Sequence, residues 1–183
     1  RLRFEAYNGN RSLGVIETDT AFPTGQWVHV AATIDSSRIA RLYLNGNEVK
    51  NGTFTDLPFR LTRNNTWAGR SNWSADTYLN GYIRDVRLYD DVRTSQEIGN
   101  DRLTKPDILD DQLKLWAPLD GTAPLTVPAG SSVVAQNGSA LVSDPLAVSA
   151  GMGALQGVVE INVPNLAWSN PQDTYGEIGR AHV

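Results

Sequence analysis

The residues best suited to binding a ligand lie in one polar loop that is rich in aromatic residues. Trp67, Trp73 and Tyr78 bracket a stretch that also contains Asn72 and Asp76. An exposed aromatic ring can stack on the apolar face of a sugar, while amide and carboxylate groups beside it bond the hydroxyls. We therefore predict a ligand-binding loop formed by Trp73, Asn72, Asp76 and Tyr78. Trp67 fits the core pattern and is predicted to be structural, and simple anchoring of the loop is the alternative role of Trp73.

A second chemistry open to this region is the binding of calcium. Hard cations need several oxygen ligands that converge from loops, and Asp76, Asn80 and Asp85 lie on or just before one predicted strand. These three residues are the candidate metal ligands. The sequence has no spacing typical of an EF-hand, and Asp and Asn are also ordinary turn residues. A structural role of the three therefore stays the alternative.

The composition excludes several other kinds of site. With no cysteine in 183 residues there is no disulfide, no thiolate zinc site and no cysteine nucleophile. The two histidines, His29 and His182, leave little for imidazole catalysis, and His29 alternates with an apolar strand face. A net charge of −4 without a run of Lys or Arg argues against nucleic acid as a partner. No apolar stretch is long enough to span a membrane.

The elements that must position these residues are predicted to be β-strands. Residues 27–34 and 39–45 alternate with period two and are separated by turn residues, which is typical of a hairpin. Asn45-Gly46 favours a type I′ turn into a short polar strand, because both central residues need positive φ.

A further strand is predicted over 81–89, where Val86 and Leu88 share a face and Ile83 is out of phase by one. A bulge near Arg84-Asp85 would absorb the extra residue. Thr94 and Glu97 form a capping box for one short helical turn, and residues 113–116 form a closing strand. Many short strands with frequent turns indicate a sandwich of antiparallel sheets.

Charge and proline content divide the chain into unequal parts. Only one of the 16 Lys and Arg residues and four of the 20 acidic residues lie beyond residue 120. Residues 121–176 are rich in Ala, Val, Ser and Pro, and are predicted to be a linker or the start of a further β domain. Residues 177–183 resemble one reading frame of a sequencing adapter, so we expect this end to be an artefact rather than native sequence.

Residues 1–120 resemble a laminin G-like domain of the concanavalin A-like lectin/glucanase superfamily. The resemblance depends on three phrases in order, followed by the helical turn at 94–98: Trp27-Val28-His29-Val30-Ala31 with Leu42-Tyr43-Leu44-Asn45-Gly46, then Gly69-Arg70-Ser71, then Tyr78 to Tyr89. It implies an all-β jelly roll whose N-terminal strands are missing. The family pattern has Asp where this chain has Arg84, so a metal role of that position is not implied here.

The resemblance also implies what the domain does. Glycoside hydrolases of this superfamily carry a Glu-x-Asp-x-x-Glu strand, which is absent from this sequence, so we expect no catalysis. Laminin G-like domains often bind calcium, which makes Ca²⁺ the candidate cofactor. The expected function is a carbohydrate-binding or adhesion module of a larger exported protein, at the cell surface or outside the cell.

The expected partner is a glycan or a cell-surface or matrix protein, and not nucleic acid. One alternative is an accessory sandwich of a carbohydrate-active enzyme whose catalytic domain lies outside this chain. A structural spacer is the other.

Overall fold

The computed structural model describes residues 1–59, 67–71, 73–119, 132–143, 153–162 and 175–182. These residues form an all-β antiparallel sandwich with one short helix, as the sequence predicts. In chain order the elements are β1 (Arg3–Asn8), β2 (Arg11–Glu17), β3 (Trp27–Ile34), β4 (Ile39–Leu44), β5 (Asn47–Thr53), β6 (Trp67–Ala68), β7 (Tyr82–Tyr89), α1 (Ser95–Asp101), β8 (Leu113–Ala117), β9 (Ser132–Ser143), β10 (Gly153–Asn162) and β11 (Tyr175–His182).

The strands form two sheets. β1 and β2 pair as a separate hairpin, and the others form one sheet in the order β5-β4-β3-β11-β7-β10-β6. β8 pairs with β7, and β9 pairs with β10. Every pairing is antiparallel. The larger sheet therefore carries the loop before β7 at one of its strand ends, where the candidate ligand-binding residues lie.

The hydrophobic core lies between the β1-β2 hairpin and the sheet formed by β3, β4 and β5. Its buried members come from both layers and from the residue after β5: Leu13, Ile16, Ala32, Ile34, Ala40, Leu42 and Phe54. Half-buried side chains of β1 pack against them. The opposite face of β3 and β4 is covered as well, because Ala31 and Tyr43 pack with Tyr89 of β7 and Ile98 of α1.

The predicted hairpin between β3 and β4 is confirmed. Ala32 pairs with Leu42, and the turn is held by Asp35, whose carboxylate accepts from the backbone N–H groups of Ser37 and Ile39. Arg41 donates to the other carboxylate oxygen at 2.8 Å. The turn is therefore closed by the local hydrogen bonding that is typical of Asp in such positions.

The Asn45-Gly46 turn and the capping box are also confirmed. Asn45 has φ of 51° and Gly46 has φ of 84°, as a type I′ turn requires. At the helix, the Thr94 hydroxyl accepts from the Glu97 N–H, and the Glu97 carboxylate accepts from the Thr94 N–H. These backbone and hydroxyl donors lower the pKa of Glu97. The helix thus begins where the sequence predicts.

The predicted bulge in β7 lies at Asp85, whose φ is 59° and whose N–H donates to Pro118 rather than into the ladder. The burial of this strand differs from the simple expectation. Val86 and Leu88 are only half buried, whereas Arg87 and Tyr89 on the other face are each 1% exposed. A charged residue occupies this buried position because carboxylates and a carbonyl surround it.

The part of the chain beyond residue 120 contributes β9, β10 and β11 to the larger sheet. β10 pairs with β6 and β7, and β11 lies between β3 and β7. The division into 1–120, 121–176 and 177–183, including the artefact at the end, stays a prediction. Within the described residues, no helix is long and apolar enough to cross a membrane.

Candidate functional site

The candidate ligand-binding loop connects β6 to β7. Trp73 is 56% exposed and Tyr78 is 49% exposed, so both predicted aromatic residues present large parts of their rings to solvent. Asp76 is exposed beside them. Asn72, the fourth predicted residue, lies outside the described residues. The structure therefore brings three of the four predicted residues to one accessible loop.

Local hydrogen bonds connect the described residues of this loop. Trp73 donates its N–H to the Ser71 hydroxyl at 3.0 Å, and its carbonyl accepts from the Asp76 N–H at 3.1 Å. Farther down the loop, the Leu79 N–H donates to the Gly69 carbonyl at 2.8 Å. Gly69 has φ of 89°, a conformation that favours glycine. These hydrogen bonds therefore connect described residues on both sides of the loop.

An arginine lies against two aromatic rings at the base of the loop. The Arg70 guanidinium carbon is 4.4 Å from the ring centroid of Trp67 and 5.6 Å from that of Tyr78. Its Nε donates to the Ser71 carbonyl at 3.3 Å. The two rings attract the cation through their quadrupoles. Trp67 is half buried, and its predicted structural role is combined with holding this arginine in place.

A residue from the other sheet reaches the tip of the loop. Tyr7 of β1 lies against Trp73, with 5.6 Å between the ring centroids and 64° between the planes. This edge-to-face contact is a favoured geometry for two aromatic rings. Trp73 thus anchors the loop to the hairpin and still keeps more than half of its surface accessible, and ligand contact by its ring stays a prediction.

A shallow, open pocket of about 410 Å³ lies between the two arms of the loop. Its polar lining offers a guanidinium, a carboxylate and two hydroxyls, and the full lining is Gly69, Arg70, Ser71, Asp76, Thr77 and Leu79. These groups supply both donors and acceptors beside the exposed rings. The arrangement suits a polyhydroxylated ligand held by stacking and hydrogen bonds.

The candidate metal ligands occupy different environments. Asp76 lines the pocket and Asn80 is exposed. Asp85 instead lies in a buried ion pair, because both of its oxygens accept from Arg87, at 2.8 and 2.9 Å. Among the described residues, no three His, Asp or Glu side chains are close enough together to hold a metal ion. A calcium site at these positions stays a prediction.

Asp85 belongs to a network of charges beneath β7 and α1. The Trp116 indole N–H donates to Asp85 at 3.0 Å, and Arg87 also contacts Asp101 at 3.5 Å. Arg93 also forms an ion pair with Asp101, at 3.1 Å. The Arg87 side chain is only 1% exposed, so its pairing with Asp85 is a buried ion pair and not ordinary surface electrostatics.

Two carboxyl groups near this network have shifted ionisation. Burial raises the pKa of Asp101, although Arg93 and Arg87 oppose the shift, and burial also raises the pKa of Asp91. Neither residue lines the pocket. Shifted carboxyl groups can mark catalytic centres, but here they accompany the ion pairs that join α1 to the sheet.

Sequence reasoning missed two contributors to the loop. Tyr7 lies 66 positions before Trp73, and only the packing of the two sheets brings their rings together. Arg70 belongs to one of the phrases that carry the family resemblance, yet its contact with two rings depends on how the loop closes. The sequence signal that could have indicated this contact is that aromatic residues flank the arginine.

Comparisons with known proteins agree with the architecture. The sequence profile of the concanavalin A-like lectin/glucanases superfamily matches residues 1–99. Pappalysin-1 of Mus musculus is 29% identical over 132 residues, which cover 62% of this chain and 8% of that protein. The chain thus spans a small fraction of that relative. No solved structure matches the chain.

Proposed function

Because the chain belongs to the concanavalin A-like lectin/glucanase superfamily, we propose that it is a non-catalytic carbohydrate-binding or adhesion module of a larger exported protein. Its partner is a glycan, either free or carried on a cell-surface or matrix protein. The domain acts outside the cell or at its surface, where such partners are displayed. The fold alone carries no such assignment, so the proposal depends on the loop between β6 and β7.

The observation that carries the proposal is the exposed Trp73 ring beside a pocket lined with polar side chains. Trp73 is 56% exposed although it is a large aromatic residue. Its backbone is held through Ser71 and Asp76, so little conformational entropy is lost when a ligand stacks on it. Arg70 and Asp76 supply a donor and an acceptor for sugar hydroxyls.

The near-neutral balance of this loop favours stacking and hydrogen bonds over attraction between charges. Arg70 and Asp76 are opposite charges on the same pocket, and the whole chain carries only −4. Calcium enters the proposal as an optional cofactor bound near Asp76 and Asn80. A calcium-free site and a calcium-dependent site make different predictions when a chelator is added.

Binding of the whole chain to a glycan array, with calcium and with a chelator, tests the proposal. We expect Trp73→Ala to weaken binding about tenfold or more, because a central aromatic contact is worth over about 1 kcal/mol. Trp73→Phe should retain part of the affinity, since a stacking ring remains. Leu109→Ala is the matched control, because Leu109 is an exposed apolar residue outside the loop, 86% accessible.

The outcomes separate the possible roles. Binding that is lost in Trp73→Ala and indifferent to the chelator supports a calcium-free lectin, whereas binding lost with the chelator assigns a role to the cation. No binding to any glycan, with or without calcium, would contradict the proposal and favour a structural spacer. An accessory domain of a carbohydrate-active enzyme would show the same Trp73 dependence toward that enzyme's polysaccharide.

A further inference from the structure

Two groups of aromatic rings lie at the loop between β6 and β7, each made of one loop residue and one residue of a strand, Tyr7 of β1 or Trp67 of β6. The tip cluster consists of Trp73 and Tyr7, which meet edge to face. The base cluster consists of Trp67, Arg70 and Tyr78, in which the guanidinium lies against both rings. Each cluster exposes about half of one large aromatic side chain, Trp73 at the tip and Tyr78 at the base.

The polar pocket connects the two clusters. Arg70 of the base cluster lines the pocket directly, while Ser71 and Asp76 line it and also hold the backbone of Trp73. A ligand that occupies the pocket therefore lies next to residues that contact or hold the exposed ring of each cluster, Tyr78 through Arg70 and Trp73 through Ser71 and Asp76.

Such a surface exceeds what a single sugar uses. One pyranose can stack on one ring and place its hydroxyls in the pocket, and the second exposed ring then has no part in binding. We infer that the ligand is a linear oligosaccharide, an inference that rests on the glycan-binding function proposed above. Successive residues of the chain contact the tip cluster, the pocket and the base cluster.

Arg70 and Asp76 are placed to bond the sugar in the middle of this chain. Within the described residues, the contacts of the Arg70 guanidinium are the two rings and the Ser71 carbonyl. Asp76 forms no ion pair in the same part of the structure. The fixed donors of the arginine and the oxygens of the carboxylate can therefore meet hydroxyls on neighbouring carbons.

The test measures affinity against chain length. The probes are gluco-, manno- and N-acetylglucosamine oligosaccharides, each from the monosaccharide to the hexasaccharide, titrated calorimetrically against the whole chain. In the series that binds, we expect affinity to rise about tenfold or more with length and then to level off once both clusters are occupied. Tyr78→Ala should remove most of this gain, and Leu109→Ala should leave the whole series unchanged.

A second measurement does not depend on variants of the loop surviving. The chain has five tryptophans, whose indole N–H signals can be assigned in the unsubstituted, isotope-labelled chain by through-bond NMR experiments. A hexasaccharide should shift the signals of both Trp67 and Trp73, whereas a monosaccharide should shift one of them. The signal of Trp116, whose indole donates to Asp85, should stay in place.

The results distinguish the two proposals. Affinity that is independent of chain length, with only one indole signal shifted, would overturn the extended site and leave the glycan-binding function standing. Absence of binding to every oligosaccharide, together with a negative glycan array, would overturn both. If Tyr78→Ala lowers the melting temperature but leaves the dependence of affinity on oligosaccharide length unchanged, the base cluster has a structural role only. That result would overturn the extended site.

Discussion

At the scale of single residues, the most consequential position outside the loop is Asp85. It stands at a bulge with φ of 59°, a conformation that Asn and Asp tolerate better than most residues. Its two oxygens receive the buried guanidinium of Arg87 and the indole of Trp116. A charge as buried as Arg87 costs free energy unless it is paired and hydrogen-bonded. Asp85 therefore has two roles: it adopts the backbone conformation of the bulge, and it pairs with the buried guanidinium.

Asp85→Asn should therefore destabilise the domain strongly. Asn keeps the backbone conformation but removes the nearer of the two carboxylates beside Arg87, with Asp101 left at 3.5 Å, and breaking a buried pair costs up to about 5 kcal/mol. Unfolding in denaturant measures the loss. The control is Lys50→Ala, which removes an ion pair with Asp19, whose side chain is 83% exposed, and should cost less than about 1 kcal/mol. Equal losses in the two variants would contradict this account.

At the scale of elements, the β4-β5 turn is fitted closely to α1. A Cβ built on Gly46 would lie 3.1 Å from the Cα of Gly99 in the helix, and Gly46 already has φ of 84°. The Asn45 carboxamide oxygen accepts from the His29 N–H, which ties the turn to β3. The turn and the helix thus constrain each other at Gly46, since a Cβ there would press on the helix backbone, whereas a Cβ at Gly99 would meet nothing within 4 Å.

Comparison of two glycine variants tests this fit. Gly9 also has positive φ, but a Cβ at that position meets nothing within 4 Å. Both Gly46→Ala and Gly9→Ala should lose the roughly 1–2 kcal/mol that a left-handed conformation costs an L-residue. Gly46→Ala should lose about a further 1 kcal/mol, because a backbone atom of α1 must move. Thermal unfolding of the pair measures the difference, and identical stabilities would argue against a close contact.

At the scale of the whole molecule, one aromatic residue joins the two sheets. Phe54 follows β5, is 2% exposed, and stacks on Phe4 of β1 with 5.7 Å between the ring centroids. A Cβ on Gly14 of β2 would lie 2.5 Å from the Phe54 ring, so this ring fills the space that the glycine leaves open. Packing of the β1-β2 hairpin, which also positions Tyr7 beside Trp73, depends on this contact.

Phe54→Ala is expected to cost about 3–5 kcal/mol, since a cavity would form between the sheets. Phe59→Ala offers a matched control five residues away, because Phe59 is 56% exposed and its loss should cost less than about 0.5 kcal/mol. Denaturant unfolding of both variants gives the comparison. A loss below about 1 kcal/mol in Phe54→Ala would show that the hairpin is held by other contacts.

Signals between neighbouring residues were enough to specify the local features of this protein. Alternation identified β3 and β4, Asn45-Gly46 identified the turn, and Thr94 with Glu97 identified the start of α1. Each of these signals lies within a few neighbouring residues, where backbone sterics and local hydrogen bonds decide the conformation. The exposure of the aromatic residues in the loop was predictable for the same reason, because no apolar pattern surrounds them.

Contacts between distant residues, in contrast, follow from how the strands and sheets pack. Tyr7 reaches Trp73, Arg70 lies against Trp67 and Tyr78, and the bulge at Asp85 turns Arg87 inward. These contacts depend on the register of the strands and on how two sheets pack. A shift of one residue moves every side chain of a strand to the other face, so no local pattern could have specified them.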